Sequence, residues 1–324
     1  MTITEISKPI ENHLKEFNKY FKETMKSNVA LLDIIISYMT RKRGKQVRPA
    51  MVFLSAELCG GVSERSYIGA SMIEFLHTAT LVHDDVVDNS DKRRGLATIN
   101  AEWNNKIAVL IGDFLLAKGL LAATSNTEFG FLHATSDAVK RMSEGELLQI
   151  QKSNEIDLEE STYFRIISDK TASLLSAACK IGALSATDDQ EKHELMYQYG
   201  ENVGLAFQIR DDIFDYTGDT TKIGKPIGND LKEKKITLPL LYSFSQVSKS
   251  QAKKVLKMIK EDELNRDNIK YIINFVTDNG GLDYARDKAN HYCDQAVSIL
   301  NKFDPSPARD SLTSFAKFVV DRDL

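Results

Sequence analysis

The sequence predicts an all-α protein of a single domain, and three observations carry that expectation. Apolar residues recur at spacings of three and four, as in Ile6, Ile10, Leu14, Phe17 and Phe21, the period of a helix with one buried face. Only 17 glycines and 6 prolines punctuate 324 residues, too few for a chain built of strands and tight turns. No low-complexity tract, solenoid-length repeat or linker divides the chain, so residues 1–324 are expected to form one domain with a full hydrophobic core.

Taken in order, residues 3–25 form an amphipathic helix and residues 28–40 a more apolar one. The basic stretch from Arg41 to Pro49 connects them to the next helix; Gly44 breaks the chain and Pro49 suits a first helical turn. That helix runs to Cys59 and stops at Gly60-Gly61. Ser63 opens a long helix whose apolar run, Ile73 to Val82, ends at His83. Asn89 to Thr98 reads as a loop, followed by helices over roughly 104–123, 131–151 and 158–186. The last of these carries Asp169-Lys170-Thr171 near its middle. Thr187 and Gln190 have capping-box spacing and open the next helix. Residues 217–236 read as one long polar loop with Gly218, Gly224, Pro226, Gly228 and the lysines Lys222, Lys225, Lys232, Lys234 and Lys235. A loop of that length inside a compact domain is expected to act, here as a lid. Helices close the chain from about 237 to 321, broken at Gly280-Gly281 and Pro305-Ser306-Pro307.

A net charge of −4 excludes a nucleic-acid footprint. Cys59, Cys179 and Cys293 are scattered, without metal-ligand or disulfide spacing, and read as buried thiols of a reducing compartment. No basic segment followed by an apolar one opens the chain, and the apolar run Val29 to Met39 is interrupted by Asp33 and too short to span a bilayer. A cytoplasmic, soluble protein is expected.

The chemistry concentrates in His83-Asp84-Asp85-Val86-Val87-Asp88. Residues four apart share a helical face, so Asp84 and Asp88 point the same way, with His77 on the same stripe. Crowded carboxylates raise one another's pKa, and a hard cation such as Mg²⁺, which is commonly held by one or two carboxylates plus substrate phosphates, relieves that cost. One such DDxxD cluster is as well explained by a solvated acidic helix end. A second one, Asp211-Asp212-Ile213-Phe214-Asp215, lies 127 residues further on (211 minus 84) and again closes an apolar helix, with Gln208 one turn before Asp212. Two such faces opposed across a cavity would hold Mg²⁺ ions and a diphosphate. Lys45, Arg48, Arg93, Arg94, Lys170, Lys225 and Lys235 fall at or near helix breaks and supply phosphate-binding cations; Lys42, Lys222 and Lys234 read as ordinary surface charges. Apolar neighbours such as Leu76, Leu81, Leu205 and Phe214 leave room for a greasy substrate tail, although they serve equally well as core.

Taken together, the motifs resemble those of the trans-isoprenyl diphosphate synthases, the polyprenyl synthetase family, and within it the long-chain, octaprenyl-like members. The matching pieces are Gly44-Lys45-x-x-Arg48-Pro49, Glu74-Phe75-x-His77-Thr78-Ala79-Thr80, both aspartate clusters, Arg93-Arg94-Gly95, Gly112-Asp113, Gly145-Glu146, Lys170-Thr171, Phe207-Gln208, Gly224-Lys225-x-x-Gly228-x-Asp230 and Thr237-Leu238-Pro239. The resemblance implies an isoprenoid synthase fold, antiparallel helices around a central cavity, working as a homodimer. It implies Mg²⁺ on Asp84, Asp88 and Asp211, with Asp85, Asp212 and Asp215 in supporting places in the metal set. Arg93, Lys170, Lys225 and Lys235 would hold an allylic diphosphate such as farnesyl or geranyl diphosphate. Lys45, Arg48, His77 and Arg94 would hold isopentenyl diphosphate. Thr171 and Gln208 would lie beside the developing carbocation, and Asp230 would orient metal-bound water. One departure stands out: many members have glycine where this chain has Lys234.

In the family, bulky aromatics at the positions of Ala79 and Thr80 block the product tunnel. Here both are small, as are Ala122 and Ala123, which implies a product longer than farnesyl or geranylgeranyl diphosphate, of the kind used for quinone side chains. The alternative is a short-chain synthase. A class I terpene cyclase would lack the second DDxxD and the isopentenyl cations, and a silent partner subunit of a heteromeric synthase would have lost aspartates or arginines; neither matches this chain.

Overall fold

In the computed structural model the helix-period apolar residues are turned inward and nearly all regular structure is helical. The structure describes residues 2–41, 44, 46–93, 95–152, 159–217, 228–260 and 264–321. These group into two compact units: Met1–Val139 with Leu174–Tyr197 and Phe303–Leu312, and Lys140–Ser173 with Gln198–Lys302 and Thr313–Leu324.

In the first unit the helices are α1 (Ile3–Ile6), α2 (Glu11–Thr24), α3 (Ala30–Met39), α4 (Val47–Cys59), α5 (Glu64–Val87), α6 (Ile99–Glu102) and α7 (Asn105–Ser125). The helix expected over 3–25 is broken: Pro9 cannot donate a backbone hydrogen bond, and the chain makes a 3-10 turn at Lys8–Ile10 between α1 and α2. The loop expected over Asn89 to Thr98 contains a two-residue antiparallel hairpin, Lys92 opposite Ala97 and Arg93 opposite Leu96. Phe17, Phe53 and Phe75 are fully buried and form the aromatic centre of the core, with Phe17 edge-on to Phe53 at 5.6 Å and Phe21 against Phe75 at 4.8 Å. Truncating any of the three to alanine would cost about 3–5 kcal/mol through lost burial and the cavity left behind.

α7 is the one helix among the described residues long and apolar enough, by length and composition alone, to cross a membrane. Reading the sequence by uninterrupted apolar runs misses it, because Lys106, Asp113 and Lys118 punctuate the segment. Val109, Leu110, Leu120 and Leu121 stay exposed along it.

α8 (Phe129–Lys152) is followed in the second unit by α9 (Glu160–Ile167) and a π turn at Ser168–Ala172; α10 (Ser173–Ala186) then belongs, from Leu174 on, to the first unit. The helix expected over 158–186 is therefore interrupted where it carries Asp169-Lys170-Thr171. Next come α11 (Gln190–Thr217), α12 (Asn229–Lys232), α13 (Leu238–Ser245), α14 (Lys249–Lys260), α15 (Arg266–Asp278), α16 (Gly281–Leu300) and α17 (Pro307–Asp321). The cap of α11 is Asp189 rather than Thr187: its Oδ1 accepts from the Glu191 and Lys192 amides at 2.9 and 3.4 Å. The second unit's core joins Ile209, Ile213 and Tyr216 of α11 to Leu238 and Leu240 of α13, Ile272 and Val276 of α15 and Ala285 of α16. Burying that stripe fixes the rotation of α11 and so decides which way each aspartate of the second cluster faces.

Candidate active site

Within the first unit, α5 delivers Asp84 and Asp88 to the surface, one turn apart, while Asp85, 100° round the helix, is 4% exposed. The buried carboxylate is matched: Nε and Nη2 of Arg93, on the hairpin, both reach Asp85 Oδ1 at 2.8 Å. Asp85 thus orients Arg93 rather than standing beside Asp84 and Asp88. A cavity of about 670 Å³ opens here, lined among others by Arg48, Glu74, His77, Leu81, Asp85 and Arg93. Arg48 Nη1 lies 3.0 Å from His77 Nε2. A guanidinium has no acceptor, so the imidazole accepts through Nε2 and carries its proton on Nδ1. The cavity accordingly offers phosphate a guanidinium already held in place.

His83, next to the motif, presses against Gly112 of α7. A Cβ at that glycine would sit 2.0 Å from His83 Nε2, so any larger residue there would have to push the imidazole aside. Ala79 is fully buried in α5, and Thr80, partly exposed, donates its hydroxyl to the His77 carbonyl at 3.0 Å. Neither is among the residues lining this cavity or that of the second unit. Ala123 is buried in α7 and Ala122 half-buried. Lys45, Arg94 and Lys225 lie outside the described residues, as does the stretch 218–227 of the expected lid.

The second unit holds a cavity of about 610 Å³ lined by Lys170, Thr171, Gln208, Asp211, Asp212, Asp215, Asp230 and Lys235, with Ile166, Ile167, Phe214 and Ile236 as apolar wall. The three aspartates of the motif have three different situations. Asp211 is exposed. Asp212 is 3% exposed and receives the Tyr163 hydroxyl on Oδ2 at 2.6 Å and the Gln208 amide on Oδ1 at 2.9 Å. Burial, reinforced by Asp230 and Asp211 and opposed by these two hydrogen bonds, pushes its pKa up to about 8. Asp215 accepts from the Asn229 and Asp230 amides at 2.9 and 3.1 Å, so it caps α12 and fastens the start of that helix to α11. Burial and the Asp230 charge raise it to about 6.

Lys170 pairs with Glu146 at 2.5 Å, and Thr171 donates to Gln208 Oε1 at 2.8 Å, so threonine, glutamine, Asp212 and Tyr163 form one hydrogen-bonded chain along the cavity wall. Tyr163 lies 49 residues before Asp212, and nothing local in the sequence marks it. Lys235 bonds to Glu233 and lies 4.0 Å from Asp230. Burial pulls its ammonium down, but the bond to Glu233 and the charges of Glu233, Asp230 and Glu146 outweigh that and leave it raised. Lys234 takes φ 57°, the left-handed conformation glycine adopts freely, so the departure from glycine keeps the turn and strains it.

No three carboxylate, imidazole or thiolate groups converge on one point among the described residues. The donors fit Mg²⁺ in its usual protein form, one or two carboxylates with the coordination completed by phosphate oxygens and water. Burial first, and the Asp230 charge second, disfavour ionisation of Asp212 and Asp215, and a cation nearby would offset both.

Residues 29–276 match the polyprenyl synthetase family model. Octaprenyl diphosphate synthase of Escherichia coli (strain K12) is 34% identical over 323 residues, covering 100% of both chains. The all-trans-nonaprenyl-diphosphate synthase (geranyl-diphosphate specific) of Rhodobacter capsulatus is 35% identical, over 98% of this chain and 97% of that one. Among solved structures, a polyprenyl synthase from Caulobacter crescentus CB15, complexed with calcium and isoprenyl diphosphate, superimposes with a TM-score of 0.90 at 34% identity, over 99% of this chain and 98% of that one.

Proposed function

This chain belongs to the polyprenyl synthetase family, and we propose that it condenses an allylic diphosphate with successive isopentenyl diphosphates into a long-chain all-trans polyprenyl diphosphate. The observation that carries this reading is the second unit's cavity, where lysines, a DDxxD face and a Thr171–Gln208 pair stand against an apolar wall. That is the lining an anionic head and a hydrocarbon tail require together.

Lys170 and Lys235 in the second unit's cavity would hold the allylic diphosphate, and Arg48 and His77 in the first unit's would hold isopentenyl diphosphate; the family resemblance gives Arg93 and Lys225 the former role and Lys45 and Arg94 the latter. Asp84, Asp88 and Asp211, the exposed members of the two motifs, would hold Mg²⁺, which when bound neutralises the departing diphosphate as a Lewis acid. The C–O bond of the allylic substrate breaks, and the alkene of isopentenyl diphosphate supplies the electron pair of the new C–C bond. The oxygens of Thr171 and Gln208 face the positive charge that develops. The proton is lost to the released diphosphate, since Thr171 and Gln208 are too weakly basic to take it and Asp212 already accepts from Gln208 and Tyr163. The apolar wall keeps out water, which would quench the cation.

The exposed Val109–Leu110 and Leu120–Leu121 pairs, three turns apart on one face of α7, support a homodimer in which a second copy covers that stripe. The deciding experiment incubates purified protein with farnesyl diphosphate, isopentenyl diphosphate and Mg²⁺, then sizes the dephosphorylated products. Products longer than geranylgeraniol, abolished by chelator and restored by Mg²⁺, are expected. No prenyl transfer would overturn the reading, and undiminished turnover in chelator would overturn its metal component.

A further inference from the structure

A π turn inserts an extra residue into a helix and survives only where its surroundings hold it. At Ser168–Ala172 it turns Lys170 and Thr171 into the second unit's cavity. Two glycines make room for it. A Cβ at Gly204 would lie 2.4 Å from Ala172 Cα, and one at Gly145 would lie 2.9 Å from Asp169 Cβ. The Ser173 hydroxyl donates to the Asp169 carbonyl at 2.6 Å, giving that oxygen a partner where the ladder is disturbed.

The guanidinium of Arg141, one turn before Gly145 on α8, ties these pieces together. Its Nε donates to Asp169 Oδ1 at 2.8 Å and its Nη2 to Ser168 Oγ at 2.6 Å. The same Nη2 and Nη1 grip the Glu201 carboxylate of α11 at 2.9 and 3.2 Å. Ser168 in turn donates to Glu201. The Arg141, Asp169 and Glu201 side chains are only 17%, 14% and 21% exposed, so the charges meet with little screening from water. None of the three belongs to the aspartate motifs or to the cations that face the cavity.

We propose that Arg141 is a positioning residue: by binding Ser168, Asp169 and Glu201 at once, it fixes the π turn that aims Lys170 and Thr171 at the diphosphate. This rests on the function proposed above. A lysine at 141 keeps the charge but, as a point donor, cannot span all three partners.

The test titrates inorganic pyrophosphate with Mg²⁺ calorimetrically into wild type, Arg141→Lys, Glu201→Gln, Lys170→Ala and the Arg141→Lys/Lys170→Ala double variant, and measures prenyl transfer on each well below its melting temperature. Arg141→Lys and Glu201→Gln are expected to weaken pyrophosphate binding and lower kcat by about tenfold, with the isopentenyl diphosphate KM unchanged. In the Lys170→Ala background, Arg141→Lys is expected to add almost nothing, because both changes remove one aimed contact. A lower melting temperature with wild-type binding and kcat in Arg141→Lys, or full additivity with Lys170→Ala, would overturn the proposal. A wild type that binds pyrophosphate but transfers no prenyl group would instead sink the functional reading, while the binding cycle still decides the role of Arg141.

Discussion

Tyr163 donates its hydroxyl to Asp212 at 2.6 Å in a site closed to water, so the second aspartate of the second motif is held from inside the core rather than from the cavity alone. Asp85, the second aspartate of the first motif, is buried in the same way and matched by Arg93. Each motif thus separates an exposed first aspartate from a buried, partnered second one.

The raised pKa of Asp212 makes the metal-free protein sensitive to pH. Its folded value, about 8, stands above the ordinary carboxylate range. The native state therefore holds a proton that the unfolded chain has released, and stability falls as pH rises from about 4 towards 8. Melting temperatures in chelator should decline across that window, and Asp212→Asn should flatten the decline. Equal slopes for the two proteins would contradict the assignment.

Asp211 and Asp215 should separate in their effects. Asp215→Ala removes the cap of α12 and should cost about 1 kcal/mol of stability, along with activity through the displaced Asp230 and Lys235. Asp211→Ala, at an exposed position, should leave the melting temperature almost unchanged and abolish turnover. Melting curves and initial rates on both variants decide; a destabilised Asp211→Ala protein of normal activity would reverse the picture.

Lys234→Gly should stabilise the protein or leave it unchanged, although glycine usually costs about 1 kcal/mol inside a helix, because the side chain now occupies a left-handed conformation disfavoured by roughly 1–2 kcal/mol. Chemical denaturation measures it. A clear loss of stability would mean that the lysine side chain makes a contact outweighing the strain.

Arg48→Ala should raise the KM for isopentenyl diphosphate by about one to two decades, since a charged hydrogen bond to phosphate contributes roughly 1.5–3 kcal/mol. The allylic KM should change far less. Steady-state kinetics with each substrate varied in turn provides the check, and equal effects on both would place Arg48 elsewhere.

Ala79→Phe should shorten the product while preserving the first condensation. Because Ala79 is fully buried, the larger ring also overpacks the core at a cost of about 1–3 kcal/mol, so product sizing belongs with a melting curve. A folded Ala79→Phe enzyme with wild-type product length would remove Ala79 from the path of the growing chain.

Much of this protein is legible in its sequence. Apolar spacing determines the helical class, because a buried stripe must repeat with the helix turn. The two DDxxD spacings determine which carboxylates share a face, since that depends only on 100° per residue. Which face then looks at solvent was decided by packing: the core of Ile209, Ile213 and Tyr216 sets the rotation of α11, exposing Asp211 and burying Asp212. The cap made by Asp215, the Tyr163 hydroxyl on Asp212, and the π turn held by Arg141 and Gly204 join residues 14, 49 and up to 60 positions apart. No local pattern encodes such pairs. A side chain's partner is whatever the tertiary fold brings within about 3 Å of it, and hydrogen-bond energy falls away steeply beyond that reach.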